Sequence, residues 1–493
     1  MHNFTINPTN LGLVLLQSFI ASLNTTAQES KSLLNIVMII VDDEDAEMNG
    51  LMHPQAKTPA FDKLSKRSVQ FTNAFCAAPA CGPSRTSLMT GAAPYRTGAY
   101  YNNQNLWATP NLYSDVDNLP GFLKKNGYLT AGIGKVYHTP HDELTKNNWT
   151  DGFYVPYNTT KNTNMRNQTS WSVKVFEDLW SFGPLPDTWD LNDTSLMQQD
   201  TKDANMVIEM LSQKQQKPFF ITLGSYKPHV PYFVAQRYFD MYPPDSIKIP
   251  ESYLEGDLDD VPECARQLAT HRGFHKYIVD NNLWKKVLQA EMASVTYADE
   301  QIGRVLDALE KSRYRDNTVV VFIGDNGFHS GEKEHWTKFA LWEKAAKVPM
   351  LISMPKQHSK SVINSPVSLL DIYPTVLDLC GIEPPKTHKL DGISLKSILH
   401  GKTTERGQPV VVTHGANNHA VITADYHYIR YRNGAEELYD KKADRYQWYN
   451  IANKPEMKSA IEQLKQYLPT DEAENIPFEY GGEESKGWDN KWN

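Results

Sequence analysis

The chain has 493 residues, of which 40% are hydrophobic and 22% are charged, the composition of an ordinary globular protein. Its length suffices for one large domain with a smaller one. The formal net charge of −8 argues against a nucleic-acid partner, which would require a basic face. It does not exclude an anionic substrate, because the charge of a local pocket can oppose that of the whole protein. Four cysteines are too few to indicate a disulfide framework.

The N-terminal residues show a targeting pattern. Residues 11–23 form a short apolar run, followed by the small residues Thr25, Thr26 and Ala27. This pattern predicts a secretory signal peptide over residues 1–27, although no Lys or Arg precedes the run; the alternative is a disordered tail. No later stretch is long and apolar enough to span a bilayer. We therefore expect a secreted or periplasmic protein, or a lysosome-like compartment if the source is eukaryotic.

Short apolar runs alternate with amphipathic segments from residue 35 to residue 380, which predicts an α/β fold with a mostly parallel sheet between helices. The predicted strands are residues 35–41, 69–75, 130–133, 219–223, 319–323 and 348–354. The predicted helices are residues 59–66, 119–126, 200–213, 283–313 and 366–379. Residues 147–200 lose this periodicity, and we expect a surface insertion there, with glycosylation sequons at Asn148, Asn158, Asn167 and Asn192.

The alternation stops near residue 400. Four short segments at residues 410–413, 420–423, 426–431 and 437–439 predict an antiparallel sheet, and residues 454–468 predict a closing helix. We therefore expect a catalytic domain over residues 28–400 and a small C-terminal α+β domain over residues 401–493.

Oxygen-bearing side chains follow two of the buried strands. Asp42 and Asp43 come directly after the first strand, and the pair Asp325 and Asn326 follows the strand at residues 319–323. Open α/β sheets keep their sites at the carboxyl ends of strands. Adjacent carboxylates would repel each other without a cation, and these side chains offer the hard oxygen ligands that suit Ca²⁺ or Mg²⁺ rather than zinc. The alternative interpretation is a solvated turn.

Two further segments beyond strand ends contain candidate site residues. Lys135 and His138 follow the strand at residues 130–133, and His229 follows the strand at residues 219–223. Prolines on both sides of His229 predict an extended, rigid loop, which favours a site residue over a structural histidine.

The segment Cys81-Gly82-Pro83-Ser84-Arg85 combines features that suit an anion. Pro83 lacks an N–H and fits the first turn of a helix, so Cys81 would lie just before a helix N-terminus, where free N–H groups favour negative charge. Arg85 adds a planar fork suited to a tetrahedral oxyanion. These features indicate a sulfate or phosphate site; the alternative is a buried free cysteine beside a turn.

Residues 81–91 as a whole, Cys-Gly-Pro-Ser-Arg-Thr-Ser-Leu-Met-Thr-Gly, resemble the signature of the type I sulfatases, and the other candidates follow in that family's order. The resemblance implies an alkaline-phosphatase-like sandwich in which a formylglycine-generating enzyme oxidises Cys81 to Cα-formylglycine, also called 3-oxoalanine. It implies a Ca²⁺ or Mg²⁺ site whose ligands are Asp42, Asp43, Asp325, Asn326 and the modified Cys81. It further implies that sulfate is held by the cations Arg85, Lys135 and Lys338.

The resemblance also implies a mechanism. A hydrated aldehyde at residue 81 would attack sulfur with one hydroxyl and expel sulfate through the other. His229 would protonate the leaving sugar oxygen, and His138 would contact the hydroxyls of residue 81. The segment Gly-Lys-Val-Tyr-His is similar to the iduronate-2-sulfatase branch, which often has histidine where this chain has Asn326. His329 and Glu332 are expected to act behind the ligands rather than in catalysis.

The expected function is therefore hydrolysis of sulfate esters on a sulfated, uronate-containing polysaccharide such as ulvan, carrageenan or a glycosaminoglycan. The same scaffold hosts phosphoester and phosphonate monoester hydrolases, which is one alternative. An inactive carbohydrate-binding relative is another, although such a module would not need Cys81. Trp107 and the tryptophans of the insertion could stack on sugar rings or form the interior of the loop.

Overall fold

The computed structural model describes residues 33–45, 54–108, 116–138, 146–156, 182–185 and 198–478. The predicted signal peptide lies outside the described residues, as do Asn158, Asn167 and Asn192 of the predicted insertion. None of the helices in these ranges combines the length and the apolar character needed to cross a membrane.

The strands and helices have the following bounds. The strands are β1 (Asn35–Val41), β2 (Val69–Phe75), β3 (Leu129–Gly134), β4 (Tyr154–Pro156), β5 (Phe182–Leu185), β6 (Phe219–Ser225), β7 (Tyr232–Ala235), β8 (Thr318–Gly324), β9 (Lys347–Ser353), β10 (Ser361–Ile363), β11 (Val367–Ser368), β12 (Val410–Thr413), β13 (His419–Ile422), β14 (Tyr426–Arg430) and β15 (Glu436–Asp440). The helices are α1 (Pro59–Ser65), α2 (Cys81–Thr90), α3 (Pro94–Thr97), α4 (Leu119–Lys125), α5 (Gln199–Ser212), α6 (Gln236–Asp240), α7 (Glu263–Thr270), α8 (Phe274–Asp280), α9 (Trp284–Lys311), α10 (Glu343–Ala346), α11 (Ile372–Cys380), α12 (Lys396–Leu399) and α13 (Lys458–Lys465).

A nine-stranded sheet organises the structure, with the strand order β10-β2-β9-β8-β1-β6-β3-β4 and β11 beside β2. Strand β9 runs antiparallel to β2 and β8, and the other pairs are parallel. All seven residues of β1 are buried, as a strand near the middle of a covered parallel sheet requires. The predicted mixed, mostly parallel sheet between helices is confirmed.

The side chains of β1 alternate between the two faces of the sheet and contribute to two separate cores. Ile36 and Ile40 pack on one face with residues of α2, α4 and α11. Val37 and Ile39 pack on the other face with residues of α1, α5 and α9. Full burial of each such side chain contributes about 1.5–3 kcal/mol, so a shift of β1 by one residue would be strongly disfavoured.

The predicted C-terminal antiparallel sheet is also confirmed, with the order β12-β13-β14-β15. One face of this sheet joins the first core through Val412 and Ala420. The other face packs against α13, where Val421 and Leu438 meet Ile461. The small sheet thus lies between its own helix and the main sheet's helical layer.

The helix predicted over residues 366–379 is wrong at its start, since α11 begins only at Ile372. The residues before it form β11 beside β2 and a short 3₁₀ turn. Ser368 explains the difference: its backbone N–H donates to Asp371 Oδ2 at 2.9 Å, and its Oγ accepts from Leu370 N at 3.2 Å. Such a capping arrangement begins a new turn instead of continuing a helix.

Candidate active site

The parallel register brings the predicted site residues to one edge of the sheet. Val41 pairs with Gly324 of β8 on one side and with Ser225 of β6 on the other, and Gly134 of β3 pairs with Gly224 of β6. The carboxyl ends of β8, β1, β6 and β3 therefore lie side by side. The segments that follow these four strands contain the predicted site residues Asp42, Asp43, Lys135, His138, His229, Asp325 and Asn326.

Backbone and side-chain hydrogen bonds bring the two oxygen-bearing pairs together. Asp43 has a left-handed backbone, with φ of 56°, which turns the chain sharply at the end of β1. Asp325 Oδ1 accepts the backbone N–H of Asp43 at 3.0 Å and that of Asn326 at 2.9 Å. Asn326 Nδ2 in turn donates to Asp43 Oδ1 at 2.9 Å. Two strand ends are thereby joined into one cluster.

The donor set fits a hard divalent cation. Ligand atoms of Asp42, Asp43, Asp325 and Cys81 all lie within 4.8 Å of one another, and all four residues are buried. Asp43 Oδ2 and Asn326 Oδ1 are buried with no hydrogen-bond partner among the described residues, which is costly for polar atoms unless a ligand binds them. Carboxylate and amide oxygens are ligands of Ca²⁺ and Mg²⁺.

Cys81 lies at the centre of the cluster. Helix α2 begins at Cys81 itself, one residue earlier than predicted, with Ala80 in an extended N-cap conformation. The Cys81 Sγ is 2.7 Å from Lys338 Nζ, 3.7 Å from Asp43 Oδ1 and 3.9 Å from Lys135 Nζ. Burial, with the Asp42 carboxylate, raises the pKa of the Cys81 thiol well above its usual value despite these lysines. The unmodified thiol is therefore neutral at physiological pH and a weak nucleophile.

Arg85, one turn along α2, is fully buried and directs each guanidinium nitrogen at a protein group. Its Nε donates to Asp325 Oδ2 at 2.7 Å, one terminal nitrogen donates to Asp42 Oδ1 at 3.1 Å, and the other donates to the carbonyl of Lys135. The fork therefore connects the ends of β1, β3 and β8. Direct contact between Arg85 and sulfate stays a prediction.

Lys135 and Lys338 each bind one of the adjacent aspartates. The Lys135 ammonium contacts Asp42 Oδ2, and the Lys338 ammonium contacts Asp43 Oδ1. Burial alone would raise the pKa of Asp42, but Lys135, His229 and Arg85 hold it well below its usual range. The carboxylate consequently stays ionised and available to a cation.

His229 faces the cluster from the loop between β6 and β7. Its Nε2 is 3.5 Å from Asp43 Oδ2, and its Nδ1 is 2.5 Å from the carbonyl oxygen of Val230. Nδ1 therefore carries a proton, which leaves Nε2 as the atom that can exchange a proton with a substrate. Burial and Lys135 lower the pKa of His229 to about 4, although Asp43 opposes this shift.

The loop around His229 is a tight turn, and the expected extended conformation is wrong. The His229 N–H donates to the carbonyl of Tyr226 at 2.9 Å, which closes the turn. The Lys227–Pro228 and Val230–Pro231 peptide bonds are cis.

His138 lines a small cleft with Gly82, Arg85 and Trp107. Its Nδ1 has no hydrogen-bond partner among the described residues, and burial together with Lys135 lowers its pKa well below the usual value. Trp107 packs edge-on against Tyr137 beside this cleft, with the two ring centroids 5.2 Å apart. Trp149 instead is fully buried and belongs to the interior of the fold.

His329 and Glu332 lie behind the cluster. Glu332 accepts from the Ser330 N–H at 2.8 Å and pairs with Lys344 at 3.1 Å, while His329 Nδ1 lies 3.0 Å from the Glu332 carbonyl. Neither belongs to the group of close ligand atoms found among the described residues.

Sequence reasoning missed several residues that support the site. Asn102 Oδ1 accepts the Gly82 N–H at 2.8 Å and holds the first turn of α2. Tyr226 and Lys227 lie beside His229 in the segment Tyr-Lys-Pro-His-Val-Pro, but the sequence predicted no role for either residue. The signal in the sequence that could have identified Tyr226 and Lys227 is their proximity to a predicted site histidine.

The sequence matches two models of protein families. The family model described as Sulfatase matches residues 34–382, and the one described as N-sulphoglucosamine sulphohydrolase, C-terminal, matches residues 331–474. A sulfatase of Formosa agariphila is 35% identical over 469 residues, covering 88% of this chain and 86% of the relative. Iduronate 2-sulfatase of Mus musculus is 29% identical over 358 residues, covering 69% of this chain and 63% of the relative.

A solved phosphonate monoester hydrolase from Silicibacter pomeroyi has the same fold, with a TM-score of 0.70 at 20% identity, covering 88% of this chain and 94% of that one. That likeness concerns the fold alone. The sulfatase model covers most of the chain, and the Formosa relative is 35% identical over nearly all of it, so this chain belongs to the sulfatase family.

Proposed function

We propose that this sulfuric ester hydrolase removes sulfate from a sulfated polysaccharide or oligosaccharide that contains a uronate, such as ulvan or a glycosaminoglycan; carrageenan, which contains no uronate, is the contrasting candidate. It would use formylglycine at residue 81 and a divalent cation, Ca²⁺ or Mg²⁺. The observation that carries the proposal is the convergence of buried cations and oxygen ligands on Cys81 Sγ. The uronate class is supported by similarity to a relative named iduronate 2-sulfatase.

The charge of the described site supports an anionic substrate together with a metal ion. Three buried carboxylates are balanced by three buried cations: Asp42, Asp43 and Asp325 against Arg85, Lys135 and Lys338. A divalent cation would leave the site positive, and a sulfate ester would offset that excess. Two opposite unit charges 4 Å apart attract by about 4 kcal/mol at an effective dielectric constant of about 20.

The site would divide the chemistry among its residues. Asp42, Asp43, Asp325 and Asn326 would bind the cation, and the cation would polarise the sulfate oxygens. The oxidised and hydrated residue 81 would supply two hydroxyls where the thiol offers one weak nucleophile. Lys135 and Lys338 would hold the sulfate oxygens, while Arg85 would keep the carboxylates in position.

His229 would protonate the leaving oxygen through Nε2. Its lowered pKa leaves the ring neutral in the free protein, and the negative charge of a bound sulfate ester would raise the pKa toward the working pH. His138, which lies beside Gly82 in the cleft, would contact the hydroxyls of residue 81.

A panel of sulfated oligosaccharides, assayed for released sulfate after co-expression with a formylglycine-generating enzyme, tests the substrate class. Uronate-containing members should be desulfated. Desulfation confined to sugars that lack a uronate would contradict that class. The rates on 4-nitrophenyl sulfate and 4-nitrophenyl phosphate decide between a sulfatase and the alternative phosphoester or phosphonate hydrolase; faster phosphate hydrolysis would favour the alternative.

The role of His229 is tested by changing the leaving group. His229→Ala should lose about 10²–10⁴-fold in rate on a sugar sulfate, whose leaving oxygen needs a proton, and much less on 4-nitrophenyl sulfate. His138→Ala is the matched control and should not show this contrast, because its proposed step follows departure of the sugar. A raised KM with unchanged kcat in His229→Ala on both substrates would indicate a binding role instead.

A further inference from the structure

The loop that presents His229 is closed by a buried lysine. Lys227, which is 5% exposed, donates through its ammonium to the carbonyl of His229 at 3.3 Å and to the carbonyl of Pro231. It forms no ion pair with a carboxylate of the described residues. A buried ammonium without such a partner is costly, and burial lowers the pKa of Lys227 to about 8. The hydrogen bonds that the ammonium of Lys227 donates to the loop carbonyls offset part of this cost and hold the loop closed.

The remaining polar groups of the loop are also engaged. Asp200, in the first turn of α5, accepts the Tyr226 N–H at 2.6 Å through Oδ1. Ser225 Oγ lies 3.3 Å from the same oxygen and 2.9 Å from the carbonyl of Lys227. The Tyr226 hydroxyl donates to the Val230 carbonyl at 2.6 Å. The turn is therefore held from both ends and across its middle.

These contacts determine where the imidazole of His229 points. The Val230 carbonyl that accepts from Tyr226 also lies against His229 Nδ1, so its position sets the orientation of the ring. The Tyr226 ring packs on His229 at a centroid distance of 5.0 Å. The ammoniums of Lys227 and Lys135 lie 5.3 Å and 5.1 Å from the centroid of that same ring. A shift of the loop would thus move His229 relative to both Asp43 and Lys135.

We propose that Lys227 is a positioning residue for proton transfer: by holding the carbonyls of His229 and Pro231, it aims His229 Nε2 at the leaving oxygen of the sulfate ester. This inference rests on the proposed role of His229 as proton donor. Lys227 itself does not touch the reacting atoms. A misplacement of about 1 Å can cost about 10²-fold in rate, so loss of the ammonium should be visible in catalysis while the fold persists.

Aryl sulfates with different leaving groups provide the test. On phenyl sulfate, Lys227→Met should lose about 10–10²-fold in kcat. On 4-nitrophenyl sulfate, whose leaving group needs little protonation, the loss in kcat should be less than about 3-fold, because the substitution impairs only the proton transfer from His229. Lys227→Arg, which keeps the charge and donors, should recover part of the phenyl sulfate activity. Lys217→Met, which removes an exposed lysine just before β6, is the matched control and should match the unsubstituted enzyme.

A double variant separates positioning from a general structural effect. If Lys227 acts through His229, Lys227→Met combined with His229→Ala should be no slower on phenyl sulfate than His229→Ala alone. Equal losses on both aryl sulfates, or additive losses in the double variant, would overturn the inference while leaving the role of His229 intact. Absence of any leaving-group contrast in His229→Ala would overturn both proposals. If Lys227→Met does not fold, Lys227→Gln, which keeps two N–H donors on a shorter side chain, should show a smaller contrast in the same direction, and equal losses on both aryl sulfates in this variant would overturn the inference.

Discussion

Replacement of Arg85 by lysine is a direct test of how the site is held together. Lysine keeps the positive charge but lacks the planar fork that reaches Asp325, Asp42 and the Lys135 carbonyl together. An ammonium at this position can satisfy one carboxylate, which leaves two buried acceptors without their donor. Each unsatisfied buried acceptor costs about 1–3 kcal/mol, so Arg85→Lys should lower the free energy of unfolding by about 2–6 kcal/mol.

Urea denaturation followed by tryptophan fluorescence measures this loss, because Trp149, Trp336 and Trp342 are fully buried and report on the core. Arg85→Met should be less stable than Arg85→Lys, since it removes the positive partner of the buried Asp325 and leaves the buried Asp42 with Lys135 alone. The matched control is Arg315→Lys, at an exposed pair with Asp316, which should cause no measurable change. An Arg85→Lys variant within about 1 kcal/mol of the unsubstituted protein would refute the claim that fork geometry holds the strand ends together.

Three further outcomes are expected. After co-expression with a formylglycine-generating enzyme, mass spectrometry should find an aldehyde at residue 81, and Cys81→Ala should abolish turnover with the fold intact; full activity of the unmodified thiol would refute the proposed nucleophile. Chelation should remove activity and Ca²⁺ or Mg²⁺ should restore it, whereas restoration by Zn²⁺ alone would contradict the oxygen-ligand argument. Burial, with His335, lowers the pKa of His414 to about 3, so protonation opposes folding. His414 alone should therefore contribute a fall of about 2–3 kcal/mol in the free energy of unfolding as pH drops from about 6.5 to about 4.5. A His414→Gln variant should fall less over that range, and a parallel decline would contradict the assignment.

The local elements follow from the sequence because their causes are local. The seven apolar residues of β1 can be buried on both faces only inside a covered sheet, and that pattern was sufficient to predict the strand. The same reasoning predicted β8 and α9 to within two residues at each end. The same reasoning failed at Ser368, where side chains compete with the helix for backbone hydrogen bonds. Whether the helix begins before or after Ser368 depends on the pairing of β11 with β2, which the local sequence does not show.

The sequence by itself determined which residues are candidates for the chemistry. Residue type, spacing and family resemblance were enough to single out the candidates: Cys81 and Arg85 in their motif, the oxygen-bearing side chains after two strands, and His229 between prolines. Only the tertiary structure decided their contacts. Arg85 donates its nitrogens to Asp42 and Asp325, and the ammonium of Lys227 donates to the carbonyl of His229. Residues up to 295 positions apart meet at this edge, as Asp43 and Lys338 do. Such contacts depend on sheet order and register, which arise from packing across the whole chain rather than from any local stretch.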